Sequence, residues 1–415
     1  MDDRQTLTPS WAATPWSRRR FLRTAGGAVG MLGLGQLLAA CTPSSARAKG
    51  FYGEPQGLVN FANWGYYLDR EEGIVNGPGP ARPSLQRFTE ETGIHVNYRE
   101  VIPDGALFYS EIEPLLAAGR PTGWDIMVIT NGVTLTKLIS LGYLEELPTD
   151  LRPSFDANAD ATARDPAYDP GARFSMPWQS GITGIAYNPA FTGRPVTSLG
   201  DLFSDEFAGR VGMFGDPVDL PNIAIAATGA DPATSTLTDW RAAADLLARQ
   251  RDAGIVRNYY AQSYIRALEN GEVAVTMAWS GDIFQLNPTG DPDGIQFVVP
   301  AEGALLWTDA MCVPKHAEHP ADAIRLMDFV YRPEIAAMIA AYVNYITPVP
   351  AARDELLAMA DATDDAGEAA SLRLVAESPL VFLPDEDRGR LRSYRELTTS
   401  DELAAWDQLF GSYYV

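Results

Sequence analysis

Trp124-Asp125-Ile126-Met127-Val128-Ile129 is the stretch that decides the fold class. Its unbroken apolar run suits a strand covered on both faces, the condition of a sheet with helices packed on either side. The neighbouring segments keep that alternation. Upstream, Tyr109 to Ala118 reads as a helix and Ile94-His95-Val96-Asn97-Tyr98 as a strand. Before them come a helix around Pro83 to Glu91, stopped by Gly93 as its C-cap, and a first strand Leu58-Val59-Asn60-Phe61-Ala62-Asn63-Trp64. Downstream the pattern returns with strand Arg210-Val211-Gly212-Met213-Phe214, a helix from about Asn222, and an amphipathic helix Asp239 to Arg251. Trp240, Ala244 and Leu247 fall on one face of that helix. Strand Glu272 to Trp279, a long helical region from Pro320 to Tyr342 and further helices toward Trp406 complete the chain. Two α/β lobes facing a cleft is the simplest architecture for this order.

The N-terminus reads as an address. Ser17-Arg18-Arg19-Arg20-Phe21-Leu22-Arg23 and the weakly apolar, glycine-dotted run behind it resemble a twin-arginine signal peptide. The run ends in Leu38-Ala39-Ala40-Cys41, which resembles a bacterial lipobox; there the cysteine is lipidated through sulfur and becomes the first mature residue. On this reading residues 1–40 are the signal, 41–56 a polar, Pro/Ser/Gly-bearing tether, and Cys41 the lipidation site. The competing reading is an uncleaved membrane helix, but Thr24 to Ala40 falls short of the roughly 20 apolar residues that a span requires.

Some 370 residues remain beyond Cys41, more than the roughly 250–300 at which single cores stop growing, so two lobes are expected. The whole chain carries −22, and its first forty residues, with Asp2 and Asp3 against five arginines, contribute +3. The exported part therefore carries −25. Nucleic acid and anionic lipid head groups are poor partners for it, and a cationic ligand is a natural one. With Cys41 assigned to lipid, Cys312 is the one cysteine left, so no internal disulfide forms; its run Ala310-Met311-Cys312-Val313 marks a buried thiol.

Aromatics and acids recur together at the predicted ends of strands: Trp64 with Tyr66 and Tyr67, Asp216 with Asp219, Trp279 with Asp282, Trp307 with Asp309, and then Tyr345. Open α/β sheets bind ligands at strand ends. An alkylammonium ligand needs an anionic partner for each charge and a slot for its methylenes, which carboxylates and flat rings supply. Singly, each residue also has a structural reading. Trp64 and Trp307 suit a core, Asp216-Pro217-Val218-Asp219 suits a turn capping the next helix, and Asp282 after Gly281 suits a turn.

The set resembles the periplasmic spermidine/putrescine-binding proteins of polyamine ABC transporters, from Leu58 to about Ala352 and more loosely beyond. The carrying motifs are Asn63-Trp64-x-x-Tyr67, Phe88-Thr89-Glu90-Glu91-Thr92-Gly93-Ile94-His95-Val96, Trp124-Asp125-Ile126-Met127-Val128, Pro177-Trp178-x-x-Gly181-Ile182-x-Gly184-Ile185, Trp279-Ser280-Gly281-Asp282, Leu306-Trp307-Thr308-Asp309 and Tyr345-Ile346-Thr347-Pro348. The resemblance implies a two-lobed, hinged periplasmic-binding-protein fold with its ligand in the interlobe cleft. It assigns 57–178 plus 309–353 to lobe 1 and 179–308 plus 354–415 to lobe 2. It further implies that Trp64, Tyr67, Trp279, Trp307 and Tyr345 line the slot, that Asp216, Asp219 and Asp309 neutralise amines, and that Thr130 offers a hydroxyl. Asp282 matches a carboxylate of the putrescine-preferring branch. No cofactor or metal is implied. The implied partners are an ABC permease with its ATPase subunit, and the implied state is an exported monomer. Three positions depart from the family: Gly132 lies near a tyrosine of spermidine binders and leaves the slot wider there, Asp219 replaces the usual glutamate, and Tyr66 takes a position often polar or acidic.

Two other functions are weighed against this one. An exported glycosidase could use a pair from Asp216, Asp219, Asp282 and Asp309. The three histidines, His95, His316 and His319, are too scattered for a triad or zinc cluster, and no nucleophile elbow, P-loop or GxGxxG occurs. Within solute binding, opine-like and other cationic amines remain compatible with a Trp/Asp box.

Overall fold

The structure is a computed structural model and describes residues 52–70, 81–103, 105–261 and 263–414. The export signal, Cys41 and the tether as far as Phe51 lie outside the described residues. The rest of the expected tether is held against the fold: Tyr52 is buried, and the amides of Gln56 and Gly57 donate to Asp322 Oδ2 at 2.8 and 3.1 Å.

The strands are β1 (Leu58–Trp64), β2 (His95–Ile102), β3 (Ile126–Thr130), β4 (Ser175–Tyr187), β5 (Val211–Phe214), β6 (Val256–Tyr260), β7 (Val275–Trp279), β8 (Gln296–Val298), β9 (Ala304–Cys312) and β10 (Leu391–Arg392). They form one sheet in the order β2-β1-β3-β9-β4-β7-β5-β6, with β8 also paired to β4 and β10 to β9. β1 pairs in parallel with β2 and β3, and β5 in parallel with β6 and β7. Between these two parallel groups lies the antiparallel pair β4 and β9, which joins them.

Of these joining strands, β4 does not stand out in the sequence. β4 contains Pro177, Gly181 and Gly184, residues that argue against a central strand. Its ladder to β9 shifts between Pro177 and Gln179, so the bulge at Trp178 sits where proline has no N–H to donate. The two glycines answer to close approach. A Cβ on Gly184 would lie 2.6 Å from the Val298 carbonyl oxygen, and one on Gly181 would run into the Trp307 ring.

Helices flank the sheet where apolar periodicity predicts them. Pro83–Thr92 buries Leu85 and Phe88 and ends on Gly93 at φ 73°, whose N–H donates to the Thr89 carbonyl. In Leu237–Asp252 the buried residues are Trp240, Ala243, Leu247 and Gln250; the face is rotated from the expected one, and Ala244 sits at its margin. The long helical region expected from Pro320 to Tyr342 consists of two helices, Pro320–Phe329 and Pro333–Val343. Proline at 333 lacks the N–H that would continue the first.

Asp125, at the start of the stretch that decides the fold, is almost fully buried. Its carboxylate accepts from the Asn60 amide N–H (2.8 Å), the Asn60 side chain (3.1 Å) and the His319 amide (2.8 Å), and lies 2.9 Å from His319 Nδ1. It thereby ties β1 to the loop that opens the Pro320 helix. Cys312 is buried as expected, and burial raises its thiol pKa.

Candidate ligand-binding site

β1, β3 and β7 end at Trp64, Thr130 and Trp279, and Asp216 follows the end of β5, as expected of carboxyl ends. Trp307 and Asp309 do not lie at a strand end. They stand inside β9, two residues apart and so on one face, with Asp309 opposite Thr130 of β3 and Gln179 of β4, and Trp307 opposite Gly181. The ladder that joins the two parallel groups therefore carries part of the site itself.

Three carboxylates converge on hydroxyl and indole donors. Asp309 Oδ1 accepts from Thr130 Oγ1 at 2.5 Å. Burial pushes its pKa up to about 6 against the opposing pull of the Thr130 and Tyr67 hydroxyls, and the negative charge of Asp219 adds to the rise. Asp219 opens the helix Asp219–Ala227 and accepts from Trp279 Nε1 (3.0 Å) on one oxygen and from Tyr394 OH (2.6 Å) on the other; burial raises its pKa as well. Asp282, in the first turn of the helix Ser280–Leu286, accepts from Tyr264 OH (2.6 Å) and Tyr345 OH (3.2 Å), and is raised by burial. Among the described residues none of these three forms an ion pair with lysine, arginine or histidine. Asp216 is placed differently. Its Oδ1 accepts from the amides of Val218 (2.8 Å) and Asp219 (2.6 Å), the capping turn that its sequence allows.

The rings fall into two groups bridged by Asp282. Tyr345 meets Tyr67 edge-on at 5.8 Å between centroids and Trp307 at 5.3 Å. Trp279 lies 4.6 Å from Phe214 and 5.9 Å from Tyr264. Glycines make room for the first group: Trp307 covers Gly181, and a Cβ on Gly281 would lie 2.6 Å from Tyr345 Cζ. Trp64 stands apart from both, half-buried, with Nε1 donating to the Val128 carbonyl at 3.1 Å.

Two residues of the constellation escape sequence reasoning, Tyr264 and Tyr394. Each lies in a stretch without a motif, and Tyr394 comes from beyond the best-matched region. Tyr394 also revises the expectation of a wider slot at Gly132, because its ring lies 3.8 Å from where a Gly132 Cβ would stand, with Val218 at 3.9 Å. Tyr66 is exposed, with the Arg70 guanidinium 5.0 Å from its ring centre.

A family model described as bacterial extracellular solute-binding protein matches residues 84–369, more than half of the chain. The chain belongs to that family. Among relatives of this solute-binding protein, a putrescine/agmatine-binding protein of Pseudomonas aeruginosa is 29% identical over 292 residues, covering 66% of this chain and 74% of its own length. The spermidine/putrescine-binding periplasmic protein of Escherichia coli is 26% identical, covering 73% of this chain and 80% of its own. A solved structure of a spermidine/putrescine ABC transporter substrate-binding protein from Streptococcus pneumoniae superposes with a TM-score of 0.67 at 21% identity, covering 86% of this chain and 98% of that one. The fold is thus the mixed α/β, two-lobed solute-binding architecture. No helix among the described residues is long and apolar enough to cross a membrane.

The raised acids make ligand-free stability pH-dependent. Asp309 has an ordinary pKa of 3.8 and a folded one of about 6, so between these values the folded state binds more protons than the unfolded one. The penalty for burying its ionised form is complete above pH 6 and is relieved as pH falls toward 4. Taking the ligand-free protein from pH 7.5 to 5.5 should therefore raise its unfolding free energy by about 1 kcal/mol from Asp309 alone, with Asp219 and Asp282 acting in the same direction. Urea unfolding at the two pH values checks this, and stability that is lower at pH 5.5 contradicts the assignment.

Proposed function

We propose that this solute-binding protein is the lipid-anchored receptor of an ABC importer, that it captures a polyamine such as putrescine or spermidine, and that it delivers the ligand to the permease. The observation that carries this reading is a deficit of positive charge. Asp219 and Asp309 are both buried, and the charge of Asp219 raises the pKa of Asp309, with no cationic side chain among the described residues paired to either. A diamine supplies the missing charges. Each ammonium to carboxylate contact at about 4 Å is worth roughly 4 kcal/mol at an effective dielectric of 20, before desolvation is subtracted. Rings such as Trp279, Trp307 and Tyr345 flank the methylenes, and cation–π attraction adds about 0.5–2 kcal/mol at each well-placed face. The names of the relatives, given for putrescine, agmatine and spermidine, support the same ligand class. Nothing in this mechanism breaks a bond: binding and release do the work, and the transporter's ATPase supplies the energy.

In this reading residues 57–178 plus 309–353 form one lobe and 179–308 plus 354–415 the other. Two of the three divisions fall within β4 and β9, the third near the start of the helix Ala352–Ala362, and the Pro177–Gln179 bulge lies at the first of them. Closure about that pair excludes water and strengthens the ion contacts. The Cys41 lipid holds the receptor, a monomer, at the outer face of the cytoplasmic membrane beside the permease.

Isothermal titration of the domain from Arg47 onward with putrescine, cadaverine, spermidine and spermine tests the ligand class. The expected result is saturable binding of at least one at one per chain, and silence across the set overturns the reading. Asp309→Asn should weaken that ligand by about 30- to 1,000-fold and by more than Asp219→Asn, because Asp309 lies in a motif that keeps the family pattern whereas Asp219 stands where glutamate is usual. Equal or reversed losses contradict that ranking. Cys41→Ala should release the full chain from membranes on fractionation, and retention in the membrane pellet contradicts the lipid anchor.

A further inference from the structure

Three buried polar groups on the site face of the β4–β9 ladder, those of Gln179, Thr183 and Trp307, have no hydrogen-bond partner among the described residues, and the first and last of them flank Asp309. Trp307 Nε1 is a donor and Gln179 Oε1 an acceptor; both side chains are more than nine-tenths buried and both atoms are unpaired among the described residues. Register puts Gln179 directly opposite Asp309 and Trp307 directly opposite Gly181, so all four lie on one face within three residues of strand. The Trp307 indole covers Gly181 and packs against Tyr345, which donates to Asp282. The unpaired donor and acceptor thus border the acid and aromatic cluster.

A plain polyamine cannot satisfy both. Every polar group it carries at neutral pH is an ammonium, which donates and has no lone pair to accept from an indole N–H. A carboxylate would accept that proton but meets the negative charges of Asp219, Asp282 and Asp309. What remains is a neutral group that both accepts and donates, and an amide does both through its C=O and N–H. We propose that this receptor takes a monoacylated polyamine, whose free ammonium groups enter the carboxylates while its amide pairs with Trp307 Nε1 and Gln179 Oε1. This rests on the polyamine reading above and narrows it.

The competing account is a single trapped water. A void of about 10 Å³, the size of one water, is lined by Gln179 with Pro177, Trp178, Tyr331 and Thr347. Under that account Gln179 stabilises the fold and is indifferent to the ligand.

Titration calorimetry of the same domain with spermidine and with each of its two terminally monoacetylated forms separates these cases. The better acetylated form should bind at least tenfold tighter than spermidine, and Gln179→Met and Trp307→Phe should each bring that ratio to about one. The wild-type ratio decides even if a variant fails to fold. Spermidine binding tighter than both acetylated forms overturns the inference and leaves the polyamine reading standing, whereas silence toward all three ligands removes both. A ratio unmoved by Gln179→Met, with stability lowered, establishes the water account and likewise overturns the inference.

Discussion

The structure around the site depends on one electrostatic constraint, the burial of several like-charged groups with no counterion among the described residues. The hydrogen bonds to Asp219, Asp282 and Asp309 come from neutral donors: Trp279 and Tyr394, Tyr264 and Tyr345, and Thr130. Hydroxyl and indole donors orient a carboxylate and lower its desolvation cost, but they do not cancel its charge. The raised pKa values express that residue of unneutralised charge. A site so built favours a positive charge beside it, because such a charge offsets the cost of burying the ionised carboxylates.

The sheet topology is what brings these acids together. Parallel strands on either side aim their carboxyl ends inward, and the antiparallel β4–β9 pair threads between them and contributes Trp307 and Asp309 from its middle. Placing candidate site residues on the joining strands couples them to the backbone that connects the two groups. Gly181 and Gly281 extend the logic to packing, since each removes a Cβ where a ring of the site must lie flat.

Much of this was legible in the sequence, for identifiable reasons. Apolar runs, Gly93 as a C-cap and helical periodicity are local signals, and they located β1, β3, β5, β7 and the Pro83 and Asp239 helices to within a few residues. β4 escaped because Pro177 and two glycines mimic a loop, and only a bulge and two close packings formed at long range make it a strand; β9 carries neither proline nor glycine, and its apolar run Ala310-Met311-Cys312-Val313 marked only a buried thiol. Tyr264 and Tyr394 escaped because their roles exist solely through contacts with Asp282 and Asp219, and Tyr394 lies 175 positions from its partner. Tyr394 also explains why Gly132 does not open the slot: a side chain absent from one loop is replaced by a ring from another. Asp216 shows the converse, since its proximity to Asp219 was visible, yet its Oδ1 serves the backbone.

The central claim is that the ligand neutralises buried acids whose pKa values burial raises in its absence. Its most direct measurement is the proton count on putrescine binding, obtained by titration calorimetry in buffers of different ionisation enthalpy. With Asp309 at about pKa 6, the account predicts release of about half a proton or more per ligand at pH 6, falling toward zero at pH 8. Proton uptake at pH 6, or binding with no proton exchange at either pH, would contradict it.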